Sequence, residues 1–229
     1  MDKSIDLYHG STEILQKPIY GLGRKNNDYG RGFYCTESEE LAKEWACTSN
    51  SNGFANHYKL DTSTLAILNL NSEEYSILNW IAIPVSNRLL KLDTPMERRA
   101  KAYLEDNFML NVKAYDVVCG YRADDAYYDF ADAFLSNAIS VNQLANAMRL
   151  GNLGTQVVVM SKRSFDCIEF SDSSFADKEI YYPLKLKRSN KASAEFAEIT
   201  KEYSDGLYML DIMREGVKSN DPRIPKNTP

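Results

Sequence analysis

Asp28-Tyr29-Gly30-Arg31-Gly32-Phe33-Tyr34-Cys35-Thr36 is the stretch on which the fold of this chain turns. Two glycines bracket an arginine, so the segment starts as loop, and Gly32-Phe33-Tyr34-Cys35 then reads as a short strand with Phe33 inward. Thr36-Glu37-Ser38-Glu39 follows with capping-box form and opens a helix that presents Leu41 and Trp45 on one face. Packing alone explains a glycine loop ahead of a core strand. An aromatic pair at a glycine-flanked strand entrance also suits a ligand pocket.

Upstream, residues 5–9 read as a strand that ends in Gly10-Ser11-Thr12. A histidine at a strand end followed by glycine offers a directional imidazole beside a backbone that a ligand can approach closely. The plain alternative is a histidine that satisfies a turn carbonyl. Downstream, residues 57–60 and 65–70 read as a strand pair around a 61–64 turn. Residues 72–74 open an apolar helix that Pro84 kinks or ends, and a charged helix follows near 96–108. Residues 115–120 form a buried-type strand, helices are expected at 124–137 and 141–150 (the second closed by Gly151), and Gln156-Val157-Val158-Val159-Met160 is a continuous β-branched strand. Two more strands are expected at 165–170 and 180–186. A long helix over 191–215, including Tyr203, precedes a frayed, proline-containing tail. Short strands interleaved irregularly with helices predict an α+β fold. The predicted organisation is one main domain over residues 1–188, then a C-terminal helix and flexible tail over 189–229.

The 229 residues, 44% hydrophobic and 26% charged, suit a globular chain able to bury a core. A net charge of -5 argues against a broad electrostatic grip on nucleic acid or anionic membrane. The N-terminus lacks the apolar stretch of a signal peptide and no segment reaches membrane-spanning length, so a cytoplasmic protein is expected. The four cysteines, Cys35, Cys47, Cys119 and Cys167, are scattered among apolar residues and read as buried free thiols in a reducing compartment. With two histidines and no ligand-spaced cluster, no metal site is expected.

In order and spacing, these segments resemble the ADP-ribosyltransferase superfamily on its poly-ADP-ribose-polymerase side. The pattern there is an H-G-S/T strand, a G-x-G-I-Y-F strand, a second aromatic eleven residues on, and a strand headed by glutamate. His9-Gly10-Ser11, Gly30-Arg31-Gly32-Phe33-Tyr34, Trp45 and Gln156 stand at those places. Over residues 5–170 the chain is more closely similar to the bacterial domain-of-unknown-function family 3990. The shared features are the Leu7-Tyr8-His9-Gly10-Ser11 start, the 28–36 segment, Trp45-Ala46, the 115–125 segment and the glutamine strand. Tyr208-Met209-Leu210-Asp211-Ile212 has the look of that family's C-terminal extension.

The resemblance implies a split antiparallel or mixed β-sheet core with flanking helices, and NAD as co-substrate. It implies that His9 hydrogen-bonds the nicotinamide ribose, that Gly10 contacts the nicotinamide amide through its backbone with Ser11 nearby, and that Gly32 belongs to the same site. Tyr34 and Trp45 would sandwich the nicotinamide ring, with His9, Tyr34 and Gln156 as the catalytic set. The implied activity is a toxin-like mono-ADP-ribosyltransferase that acts on a protein or nucleic-acid acceptor. Gln156 supplies no charge where the family pattern has glutamate, so polymer elongation is not expected. NAD hydrolysis and a catalytically silent NAD-binding or protein-interaction domain stay open. Asp124 and Asp125 could replace the carboxylate or simply be helix N-terminal acids. Arg31 and Arg88 could pair with NAD phosphates or stand solvated. Leu207, Leu210 and Ile212 could dock a small antitoxin-type partner or pack on their own domain.

Overall fold

The computed structural model describes residues 3–122, 125–150, 154–201 and 204–227, with 125–128 described as backbone alone. Two small sheets form the centre. In the first, β1 (Ser4–Ser11), β3 (Gly53–Asp61) and β7 (Ile168–Ala176) pair antiparallel in the order β1-β3-β7. In the second, the order is β2 (Phe33–Cys35), β6 (Thr155–Val159), β5 (Val117–Tyr121), β4 (Ile67–Asn69), antiparallel except for the parallel β4–β5 pair. The sheets touch where Tyr8 and Thr36 exchange backbone hydrogen bonds of 2.7 and 3.0 Å. The architecture is therefore mixed α+β, with one antiparallel and one mixed sheet.

Alternation along the strands sorts the side chains into two cores. Leu7, Tyr58 and Leu60 of the first sheet meet Phe33, Cys35, Val117, Val157 and Val159 of the second. Val118 and Val158 face the other way, into a larger helical core with Trp80, Phe108, Phe130 and Phe134. Each fully buried phenylalanine there contributes about 1.5–3 kcal/mol relative to an exposed one. Gln156 and Tyr34 share this second face, two residues from Val158 and directly opposite it, respectively.

The helices are α1 (Glu39–Ala46), α2 (Ile77–Asn87), α3 (Pro95–Phe108), α4 (Asp125–Leu135), α5 (Val141–Ala147), α6 (Lys162–Asp166), α7 (Lys178–Ile199) and α8 (Met209–Glu215). Reciprocal capping boxes start α2 at Ser76/Asn79, α3 at Thr94/Glu97 and α5 at Ser140/Gln143. Pro84 lies inside α2, which continues to Asn87 because residues 77–85 are all buried against neighbouring elements.

Several expectations change. The cap of α1 is Ser38, whose hydroxyl accepts from the Leu41 amide, while Thr36 belongs to the inter-sheet bridge. Residues 57–60 and 65–70 are not a hairpin, since β3 and β4 lie in different sheets. The 72–74 segment is turn, and α2 starts at Ile77. Residues 162–166 are helical before β7 begins at Ile168. Residues 180–186 lie in α7, not in a strand, and Ile180, Leu184 and Leu186 there are exposed. Packing against α1 fixes the helix instead, through Tyr181 and Tyr182 on Ala46 and Cys47 and through the Arg188–Glu44 ion pair at 2.8 Å. The helix expected over 191–215 divides into the end of α7 and α8, with Tyr203 outside the described residues, as is the Gly151 expected to close the helix before it. α7 crosses positions 188 and 189 unbroken.

The tail is fastened through Asn227. Its amide donates to the carbonyls of Leu70 (2.6 Å) and Ser76 (3.2 Å), and Ile224 is buried in the helical core.

Candidate functional site

His9, Gly10, Gly32, Tyr34, Trp45 and Gln156 all line a single cleft of about 1000 Å³, between the meeting edges of the sheets, α1 and α7. Four separate segments bring these residues together: β1, the entrance to β2, α1 and β6. Ser11 is not part of the lining. Its hydroxyl donates to the Glu13 carbonyl (2.6 Å) and accepts from buried Asn56 (2.9 Å), which thereby staples the loop after β1. Arg31 is exposed and lines a separate, smaller pocket. Asp124 lies outside the described residues, as does the side chain of Asp125.

His9 sits at the inter-sheet junction, tilted against Phe33 with ring centroids 4.4 Å apart. Its Nδ1 is 2.7 Å from the Tyr34 carbonyl oxygen. A carbonyl only accepts, so Nδ1 bears the proton and neutral His9 keeps Nε2 as an acceptor. Burial pulls the imidazole below the ordinary histidine range and outweighs the opposing effect of that hydrogen bond.

The glycines are needed for packing more than for ligand approach. A Cβ on Gly10 would stand 2.1 Å from the Ala42 carbonyl oxygen and 2.8 Å from the Ala46 amide nitrogen, so strand β1 and α1 meet there backbone to backbone. A Cβ on Gly32 would stand 2.5 Å from Val158. Gly30, at φ +82, turns the loop in a region that side chains rarely adopt.

Tyr34 organises that loop from below. Its hydroxyl donates to the Gly30 carbonyl (2.7 Å) and accepts from the Tyr29 amide (3.0 Å). Burial raises this phenol, so it stays protonated and a donor. Tyr29 is wholly buried: its hydroxyl donates to the Tyr121 carbonyl and accepts from Trp80 Nε1, both at 2.7 Å, over Gly120. Between these anchors the turn delivers Asp28 into the cleft.

Asp28 is the residue that sequence reading missed. It is 2% exposed and ion-paired to Arg88 Nε, and its Oδ2 accepts from Gln156 Nε2 at 3.1 Å. The Gln156 Oε1 is buried, lines the same cleft and has no hydrogen-bond partner among the described residues. Unsatisfied buried acceptors are rare because each forfeits about 1–3 kcal/mol of hydration.

Trp45 forms the wall contributed by α1. The Arg122 guanidinium stacks on its indole at 4.4 Å, and its Nε1 has no hydrogen-bond partner among the described residues. Arg24, Arg88, Arg122 and Lys185 line the cleft of a protein whose net charge is -5. Basic side chains in a concave site focus a positive potential there. From α7, Lys185, Leu186 and Ser189 complete the rim.

Burial pushes the thiols of Cys35 and Cys47 up and that of Cys119 up to about 12, so none of these three is a ready thiolate. Among the described residues no group of three or more His, Cys, Asp and Glu side chains could hold a metal ion. None of the described helices is long and apolar enough to cross a membrane.

A family model described as a protein of unknown function, DUF3990, matches residues 5–170. The chain belongs to that family. The match spans β1 through the first residues of β7 and so contains every cleft residue discussed above except those of α7. No curated protein and no solved structure matches the chain.

Proposed function

We propose that the cleft binds NAD and that the protein is a mono-ADP-ribosyltransferase, with an unidentified protein or nucleic-acid acceptor. The observation that supports this most is the convergence of His9, Gly10, Tyr34, Trp45 and Gln156 on one cleft. They come from four elements, β1, β2, α1 and β6, and all face the same cavity. A cavity near 1000 Å³ is ample for a dinucleotide. The basic lining suits a diphosphate.

In this reading the ring of Tyr34 and the indole of Trp45 contact the nicotinamide, and the Nε2 acceptor of His9 takes a hydrogen bond from a ribose hydroxyl. The bond from ribose C1′ to the nicotinamide nitrogen breaks, and its electron pair leaves with neutral nicotinamide. The oxocarbenium-like sugar is captured by an acceptor nucleophile, which releases a proton. Holding ring and ribose rigidly favours that geometry over the relaxed one. Gln156 offers an acceptor and no charge, which suits a single transfer or hydrolysis and not chain elongation.

A second reading, a silent NAD-binding domain, draws on the same cleft. The Asp28 carboxylate is neutralised by Arg88, and one face of Trp45 is covered by Arg122. The two part on nicotinamide release. Purified protein is incubated with NAD and with mixtures of protein and nucleic-acid acceptors, and free nicotinamide and acceptor mass are followed. Release that is lost in His9→Ala and Trp45→Ala supports the transferase. Saturable NAD binding without release supports the silent domain.

A further inference from the structure

We propose that Asp28 is a positioning residue, which fixes the amide of Gln156 so that its oxygen, not its nitrogen, is offered to the ligand. The inference rests on the NAD reading for the identity of that ligand, but the pairing itself does not.

Three observations converge on it. Asp28 and Gln156 are 2% and 5% exposed, so water does not compete for their hydrogen bond. Arg88 is ion-paired to Asp28 through Oδ1, which leaves Oδ2 facing the amide of Gln156. A carboxylate has only acceptors, so the group turned toward it must be the NH2. The opposite end of the amide, Oε1, is then an acceptor with no hydrogen-bond partner among the described residues, on the wall of the cleft.

The carboxylate also acts through the amide. A hydrogen bond to an ionised acceptor is stronger than a neutral one and polarises the donor group, which makes the far oxygen a better acceptor. Gln156 backed by Asp28 thus presents negative potential to a bound hydroxyl with no charge of its own on the reacting side. The ligand chemistry this selects is a hydroxyl donor, a sugar diol in the NAD reading, close to a centre that becomes positive.

Substituting Gln156 by glutamate should therefore not improve the site. The new carboxylate would face Asp28 at the distance of the present hydrogen bond, about 3 Å, and two like charges that close oppose one another. The reciprocal change relieves this. In Asp28→Asn the new amide oxygen still accepts from Arg88 while its NH2 donates toward position 156. With wild-type Gln156 that either sets two NH2 groups face to face or, if the amide turns over, brings the Gln156 nitrogen to the cleft in place of its oxygen. With Gln156→Glu it restores one donor opposite one acceptor.

The test uses the full chain in four forms: wild type, Asp28→Asn, Gln156→Glu and the double variant. The first measurement is denaturant unfolding, which needs no ligand. Each single variant is expected to lower the midpoint, and the double variant to recover most of the loss. The second is nicotinamide release from NAD. Each single variant is expected to lower kcat by about tenfold or more, as for one buried hydrogen bond removed, with KM changed less, and the double variant to recover. Additive losses in stability would overturn the pairing. Recovery of stability without recovery of kcat would overturn the role toward ligand. Wild-type protein that neither binds nor cleaves NAD would overturn the NAD reading, and the unfolding cycle would still decide the pairing by itself.

Discussion

The imidazole of His9 is held by the backbone of Tyr34, Nδ1 to carbonyl oxygen at 2.7 Å, so the two residues nominated for a shared ligand are coupled before any ligand arrives. The bond fixes ring orientation and tautomer together. It also joins β1 to β2 at the point where the two sheets touch.

One consequence is a defined acid limb. Protonation would convert Nε2 from acceptor to donor, so NAD affinity should fall as pH drops below the ordinary histidine value of about 6.5 and through the lowered value of folded His9. Stability follows the same sign. Unfolded His9 binds a proton near 6.5 and the folded residue resists it, so the contribution is present above that pH and is lost as pH falls. Calorimetric titrations across this range check the first statement. In His9→Ala the limb should disappear.

Gly10 should tolerate no side chain. In Gly10→Ala the added methyl would meet the Ala42 carbonyl at 2.1 Å, and backbone cannot step aside as a flexible side chain can. A loss of about 1–3 kcal/mol or more in denaturant unfolding is expected, as for overpacking. A variant as stable as wild type would show that α1 and β1 do not meet in this way.

Tyr34→Phe separates the two duties of this residue. The ring stays in the cleft, but the turn that delivers Asp28 loses the bonds to the Gly30 carbonyl and the Tyr29 amide. Stability should fall by about 1–3 kcal/mol. NAD binding should weaken although an aromatic ring remains. Unchanged binding would confine Tyr34 to stacking.

Asn227→Ala should destabilise the protein although it lies near the end of the chain. Its amide satisfies the Leu70 and Ser76 carbonyls beside the cap of α2, and both bonds are buried. The expected loss, about 1–3 kcal/mol, is that of buried acceptors left without a donor. Thermal unfolding measures it.

Much of this site was legible in the sequence because its residues lie in short, ordered patterns. His9-Gly10, Gly32-Phe33-Tyr34, Trp45 and Gln156 each mark a strand end or helix face, and the family resemblance carried by their order and spacing implied one pocket. Asp28 was not legible: an aspartate ahead of Tyr-Gly looks like any turn residue until Arg88, 60 positions on, folds against it. α7 was misread for a related reason. Its Ile180, Leu184 and Leu186 are exposed, and only contact with α1 decides for helix. The tail looked frayed because Asn227 is polar and sits among prolines, whereas its value lies in two carbonyls more than 150 residues away.

Nicotinamide release by the purified chain decides whether the cleft turns NAD over. NAD is supplied with and without acceptor mixtures, beside His9→Ala and Asp28→Asn proteins shown to be folded. Release is expected from wild type, with loss in His9→Ala and a reduced kcat with little change of KM in Asp28→Asn. No release by wild type under any acceptor, or equal release by all three proteins, would contradict the transferase reading.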